Sequence, residues 1–134
     1  MKIFLLATLM LTTLILNAQN ISKETIQWNA TGFKDLDANE DVSNSCKFIT
    51  VGAEKIKWVQ DNGKVVVEWN VTSTKGSWTN VTTDGTFTYS FSDREAKGEL
   101  TTAKTESGWV MDLLIVGGTS DVRLRYTISS ITKL

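Results

Sequence analysis

The stretch Lys55 to Val71 constrains the fold more than any other part of this chain. It reads K-I-K-W-V-Q-D-N-G-K-V-V-V-E-W-N-V. Ile56 and Trp58 alternate with lysines. After Asp61-Asn62-Gly63, the residues Val65, Val67, Trp69 and Val71 alternate with Lys64, Val66, Glu68 and Asn70. Period-two alternation on both sides of an Asn-Gly pair predicts two antiparallel strands joined by a tight turn, because Asn and Gly tolerate the positive φ such a turn needs. Trp58 and Trp69 then point to one hidden face from adjacent strands.

The rest of the chain repeats this unit. A first strand is expected over Glu24 to Phe33, with Ile26, Trp28 and Ala30 on one face. A polar connection of about 11 residues, Lys34 to Asn44, leads to a second strand, Cys46 to Val51. Beyond the hairpin, Thr72 to Gly76 reads as a turn and Ser77 to Val81, with Trp78, as a short strand. Asp84-Gly85 turns into the alternation of Phe87, Tyr89 and Phe91, and Ser92 to Glu95 turns out of it. Lys97 to Thr105 follows, then Trp109 to Val116, apolar on both faces. Gly117-Gly118 leads to a last strand in which Val122, Leu124, Tyr126 and Ile128 alternate with Arg123, Arg125, Thr127 and Ser129. Short connections join neighbours in antiparallel order. The expected fold is therefore all-β: an antiparallel up-and-down meander of eight to nine strands closed as a small barrel, with a β-sandwich as the alternative. The chain has no proline to blunt an exposed strand edge, which favours closure.

The N-terminus reads differently. Lys2, the apolar run Ile3 to Leu16 and the small residue Ala18 have the layout of a secretory signal peptide. Fourteen residues are too few for a helix to cross a bilayer core of roughly 30 Å. The expected organisation is a cleaved leader over residues 1–18 and one barrel domain over 19–134, exported to a periplasmic or extracellular location. Without Lys2 the chain has 13 basic against 15 acidic residues, a formal charge of −2, which gives no electrostatic case for nucleic acid. No integral membrane segment is expected once the leader is removed.

The residue types narrow the chemistry. There is no histidine and one cysteine, Cys46. An internal disulfide is excluded, and the commonest metal ligand and neutral-pH acid–base group is missing. Cys46 reads as a small buried hydrophobe. Glu68 and Asp112 are the carboxylates to consider for a hydrolase; their simpler reading is solvated, or for Asp112 paired with Arg123 or Arg125. Asp35-x-Asp37-x-Asn39-x-Asp41 begins like a calcium loop, but Glu40 stands where glycine is needed and Cys46 where the closing glutamate belongs. It reads as a solvated acidic loop, so no metal, cofactor or catalytic residue is assigned. The strand tryptophans, Trp28, Trp58, Trp69 and Trp109, suit core packing, or they line a cavity. The candidate ligand-binding set is Trp28, Ile56, Trp58, Trp69, Phe87, Tyr89, Trp109 and Tyr126.

In layout the chain resembles the lipocalin-like small secreted barrels of bacteria. The resemblance rests on the early Trp28, the polar stretch after the first strand, the run of short hairpins and the last-strand Arg123 and Arg125. Ile26 stands where the family motif has glycine. It implies a small apolar molecule held in the barrel, the long loop as a lid and a last-strand arginine packed across the early tryptophan. The expected function is that of an exported, non-enzymatic protein binding a small apolar ligand. The alternatives are a module with a filled core acting through its surface on an envelope protein or glycan, and a carboxylate-based hydrolase.

Overall fold

The computed structural model describes residues 21–94 and 96–134; the leader expected over 1–18 lies outside the described residues. Eight antiparallel strands run in sequence order around a closed barrel. They are β1 (Thr25–Asp35), β2 (Glu40–Val51), β3 (Lys55–Gln60), β4 (Val65–Lys75), β5 (Gly85–Asp93), β6 (Ala96–Thr105), β7 (Gly108–Val116) and β8 (Val122–Lys133). β1 pairs with β2 on one side and with β8 on the other, so the sheet has no free edge. The meander and its closure are those expected from the sequence, and the sandwich alternative falls.

The opening hairpin forms as its alternation predicts. Ile56 faces Trp69 and Trp58 faces Val67 across β3 and β4. At the turn, Asn62 has φ 53° and ψ 35°, Gly63 has φ 88°, and the Lys64 N–H donates to the Asp61 carbonyl at 3.1 Å. This is the primed turn the Asn-Gly pair favours. Asp61 is left-handed as well, at φ 49°, so the ladder stops one residue early, at Gln60 opposite Val65.

Two expectations are corrected. The polar stretch Lys34 to Asn44 is not a long loop: β1 continues to Asp35 and β2 begins at Glu40, leaving only residues 36–39 as the connection. Phe33 pairs with Val42, and Lys34 with Asp41. The strands extend here because each wall already has partners on both sides, and ladder hydrogen bonds outweigh the weak intrinsic preferences of Asp, Asn and Ser. A bulge between Ala30 and Gly32 resets the alternation so that Phe33 stays on the inner face beside Tyr126, its ring 5.3 Å away. The second correction concerns Thr72 to Val81. Thr72 to Lys75 is not a turn but the end of β4, paired with β5. Ser77 to Val81 is no strand; residues 76–84 are a loop that folds over one end of the barrel, with Trp78 and Val81 buried.

The inner face holds one continuous core, including Ile26, Trp28, Phe48, Ile56, Trp69, Phe87, Tyr89, Phe91, Leu100, Met111, Leu113 and Tyr126. Gly98 belongs to this packing. A side chain on Gly98 would overlap the edge of the Phe91 ring and come within 2.9 Å of the Leu114 carbonyl. Phe91 cannot step aside freely, because it is stacked on Trp69 at 4.2 Å between centroids. Gly98→Ala is expected to destabilise the barrel by about 1–3 kcal/mol through overpacking, as a lower midpoint in urea denaturation; an unchanged midpoint would show that the Phe91–Trp69 stack can shift.

Candidate functional site

The two ends of the barrel are built differently. One end carries the 52–54, 76–84 and 106–107 connections and both described termini. It is sealed by side chains: Ile21, from the 3-10 turn Ile21–Lys23, is fully buried, and Trp78 and Val81 of the 76–84 loop join it. The Ile21 N–H donates to the Trp78 carbonyl at 3.2 Å, tying the two pieces of the plug together. The Trp78 ring lies 6.2 Å from that of Trp28 beneath it. At the other end, every described residue of the connections 36–39, 61–64, 94–95 and 117–121 is exposed. No side chain from them covers the interior. The inward residues there are half-buried apolar groups: Phe33, Cys46, Trp58, Val67, Ile115 and Leu124. Leu36, Val42 and Val65 form an apolar lip, 39 %, 39 % and 46 % exposed.

Six aromatic rings continue inward from this mouth. Tyr126 meets Phe33, and Phe48 at 4.9 Å edge-on. Phe48 stacks on Trp58 at 5.7 Å, Trp58 lies 5.8 Å from Trp69, and Trp69 stacks on Phe91. Offset and edge-to-face pairs of this kind add about 0.5–1.5 kcal/mol each beyond their burial.

The polar atoms of the core divide along the same axis. At the sealed end each indole N–H has a partner: Trp28 donates to the Thr50 hydroxyl at 3.0 Å, Trp78 to the Thr83 carbonyl at 3.1 Å, and Trp109 to the Val81 carbonyl at 2.8 Å. Towards the mouth they do not: Trp58 Nε1 and Trp69 Nε1 are buried without a hydrogen-bond partner. Tyr89 Oη is also unpartnered, but it lies deeper, beside the Thr50 that serves Trp28. The Trp58 N–H leans on the Cys46 sulfur, a weak acceptor. Burial pushes the Cys46 thiol pKa up, and this N–H draws it partly back. Burial raises Tyr89 to about 12; the neighbouring Thr50 hydroxyl opposes that rise but does not reach hydrogen-bonding geometry. Tyr126 is also raised, first by burial and then by the nearby Cys46.

The structure brings all eight sequence-derived residues into one core, but not as one lining. Trp28, Ile56, Trp69, Phe87, Tyr89 and Tyr126 are buried and packed against neighbours. Trp109 is half-buried beside the plug. Trp58 alone of the eight stands among the half-buried groups of the mouth. The mouth residues that were not singled out from the sequence are Phe33, Val67, Ile115 and Leu124. For Val67, Ile115 and Leu124 the strand alternation was the available signal; for Phe33 the bulge at Ala30–Gly32 hid it.

The other sequence candidates lie elsewhere. Asp112 accepts a bidentate pair of hydrogen bonds from Arg125, at 2.8 and 3.0 Å, and Glu68 pairs with Lys55 at 3.0 Å. Both pairs are on the outer wall. Arg125 therefore does not cross Trp28, and Arg123 lies 4.0 Å from Asp37 at the barrel's end. Asp35 closes the 36–39 turn by accepting from the Asp37 and Ala38 N–H groups at 3.0 and 3.1 Å. Among the described residues no cluster of three or more acidic or cysteine side chains could hold a metal ion. Two grooves of about 500 and 540 Å³ lie on the outer wall, one beside Asn29, Lys47 and Ser129, the other beside Thr72, Glu99 and Leu114; none of the eight residues lines either. No family model, no curated protein and no solved structure matches this chain.

Two measurements follow from the polar division. Thr50→Val removes the partner of a buried N–H and is expected to cost about 1–3 kcal/mol, whereas Tyr89→Phe removes an unpartnered hydroxyl and is expected to be neutral or slightly stabilising. Urea denaturation of the two variants checks both. With pH, the raised Tyr89 pKa leaves stability unaffected below about pH 10, where tyrosine ionises in the unfolded chain. Stability then falls as pH rises towards 12. Spectrophotometric titration should find Tyr89 ionising late, and its absorbance change should be the one lost in Tyr89→Phe.

Proposed function

We propose that this protein is an exported, non-enzymatic barrel that binds a small apolar molecule at its unplugged end. The ligand sits on Phe33, Cys46, Trp58, Val67 and Leu124, between the lip of Leu36, Val42 and Val65 and the ring network below. The observation that carries this reading is the asymmetry of the two ends. The same chain spends Ile21, Trp78 and Val81 on sealing one opening and leaves apolar groups part-exposed at the other. Small-molecule sites are mostly apolar with a few placed polar groups. The carboxylates that a hydrolase would need are engaged in ion pairs on the outer wall, which favours binding over catalysis. The lipocalin-like layout points the same way, although its lid has no counterpart in the short 36–39 turn.

A second reading, a filled barrel acting through its surface, is favoured by the ring-on-ring packing of the lower core, where Trp69, Phe91 and Tyr89 are almost wholly buried. A titration with the neutral probe N-phenyl-1-naphthylamine, whose emission rises in apolar surroundings, separates the two. Saturable binding is expected. Leu124→Glu, which puts a charge at the mouth, should weaken it tenfold or more, on the order of 1.4 kcal/mol. Absence of saturable binding, or binding indifferent to Leu124→Glu, would leave the filled-barrel reading.

A further inference from the structure

We propose that the ligand of this mouth is an uncharged molecule whose polar end is a hydrogen-bond acceptor, a ketone, ester or ether oxygen, taken by the indole N–H of Trp69 with that of Trp58 as a neighbouring donor. The inference rests on the binding reading above and names the class of molecule.

The first support is the unmatched set of donors. Trp69 is 3 % exposed and Tyr89 fully buried, yet neither Trp69 Nε1 nor Tyr89 Oη has a protein partner. A buried donor left unmade costs about 1–3 kcal/mol, so native cores carry few of them, and each calls for a physical reason. Here they are not scattered. Two of them, Trp58 and Trp69, fall on adjacent strands, β3 and β4, with rings 5.8 Å apart. The fold does supply acceptors where it needs them, for Trp28, Trp78 and Trp109 at the sealed end. An indole N–H can only donate. A molecule entering from the mouth therefore completes Trp58 and Trp69 only by bringing an acceptor.

The second support is the charge of the interior. Cross-strand pairing places on the inner face only apolar, thiol or hydroxyl-bearing side chains through the body of the barrel, among the described residues, with the neutral amide of Gln60 opposite Val65 at the mouth. Charged inward positions occur at the ends. Lys104 is at the sealed end, 3.8 Å from Asp84 and over the Trp109 ring. At the lip, Asp35 faces Glu40 on the side that carries Leu124. A carboxylate ligand would pass two acidic residues and meet no cation inside, and a buried charge without a partner is strongly disfavoured. An ammonium group would pass those carboxylates but find no acceptor at Trp58 or Trp69, whose N–H groups can only donate.

Calorimetric titration with three molecules of equal chain length, decane, 2-decanone and decanoate at pH 8, tests the class. Wild-type protein is expected to bind 2-decanone about tenfold more tightly than decane, the equivalent of one net hydrogen bond of about 1.4 kcal/mol, and decanoate more weakly than either. Trp69→Phe keeps an aromatic ring and removes the N–H. It should bring 2-decanone to within about twofold of decane, Trp58→Phe should lower the preference by a smaller factor, and Tyr89→Phe, deeper in the core beside Thr50, should leave it unchanged. Decane affinity in each variant reports any general damage to the site. Equal binding of decane and 2-decanone in wild type, decanoate as the tightest ligand, or a ketone preference untouched in both tryptophan variants would each overturn the acceptor assignment while leaving the mouth as a binding site. Binding of none of the three would overturn the site together with its ligand class.

Discussion

The pairing of β1 with β8 is the contact on which the rest of the molecule depends. A meander of eight strands without it would present two rows of unpaired N–H and C=O groups, and no proline stands in the chain to blunt them. With it, each strand has two neighbours and the apolar face has nowhere to go but inward. The register of that seam is broken twice, on either side of Ala30. There the first strand shifts its alternation, so that Trp28 below and Phe33 above both face the interior.

Closure fixes the wall but not the ends. A small barrel filled by large side chains still exposes its last layer at each opening, and the chain treats its two openings differently. One is covered by Ile21 and the 76–84 loop, whose hydrogen bonds to one another and to the Trp78 and Trp109 indoles make the plug part of the core. The other is left as a ring of half-buried apolar groups over a staircase of six aromatic rings. Hydrogen-bond satisfaction follows the same division. Loop carbonyls reach the Trp78 and Trp109 indoles near the plug, and the Thr50 hydroxyl reaches that of Trp28. Every described loop residue at the mouth is exposed, and no backbone carbonyl reaches Trp58 or Trp69. The unpartnered donors are thus a consequence of how the ends are built.

Much of this was legible residue by residue. The alternation of Val65, Val67, Trp69 and Val71 assigned a face that the structure keeps, and Asn62-Gly63 specified the turn by its φ requirement. Asp112 was read as a partner of the last-strand arginines, and it pairs with Arg125. The stretch Lys34 to Asn44 was misread because its composition is that of a loop. Its strand character comes from neighbours on both sides, which local composition does not encode. Trp78 was placed on a strand because a single aromatic in a short polar segment looks alike whether it lines a wall or seals an end. The candidate site suffered from a related ambiguity. Eight inward residues were identified as one lining, but position along the barrel axis, which separates the packed body from the mouth, depends on strand stagger and on which loops fold inward.

By itself the sequence determined the strands' two faces, the tight turns and the exclusion of histidine-based chemistry and of an internal disulfide, since these follow from side-chain period, backbone φ and residue type. Tertiary structure decided three further things: that the expected meander closes as a barrel and not a sandwich, that the 76–84 loop seals one end, and that Trp69 is left without an acceptor and Trp58 with only the weak one of Cys46. The reason is that each is a relation between residues tens of positions apart, set by how the closed sheet staggers its strands, and no local pattern carries that stagger.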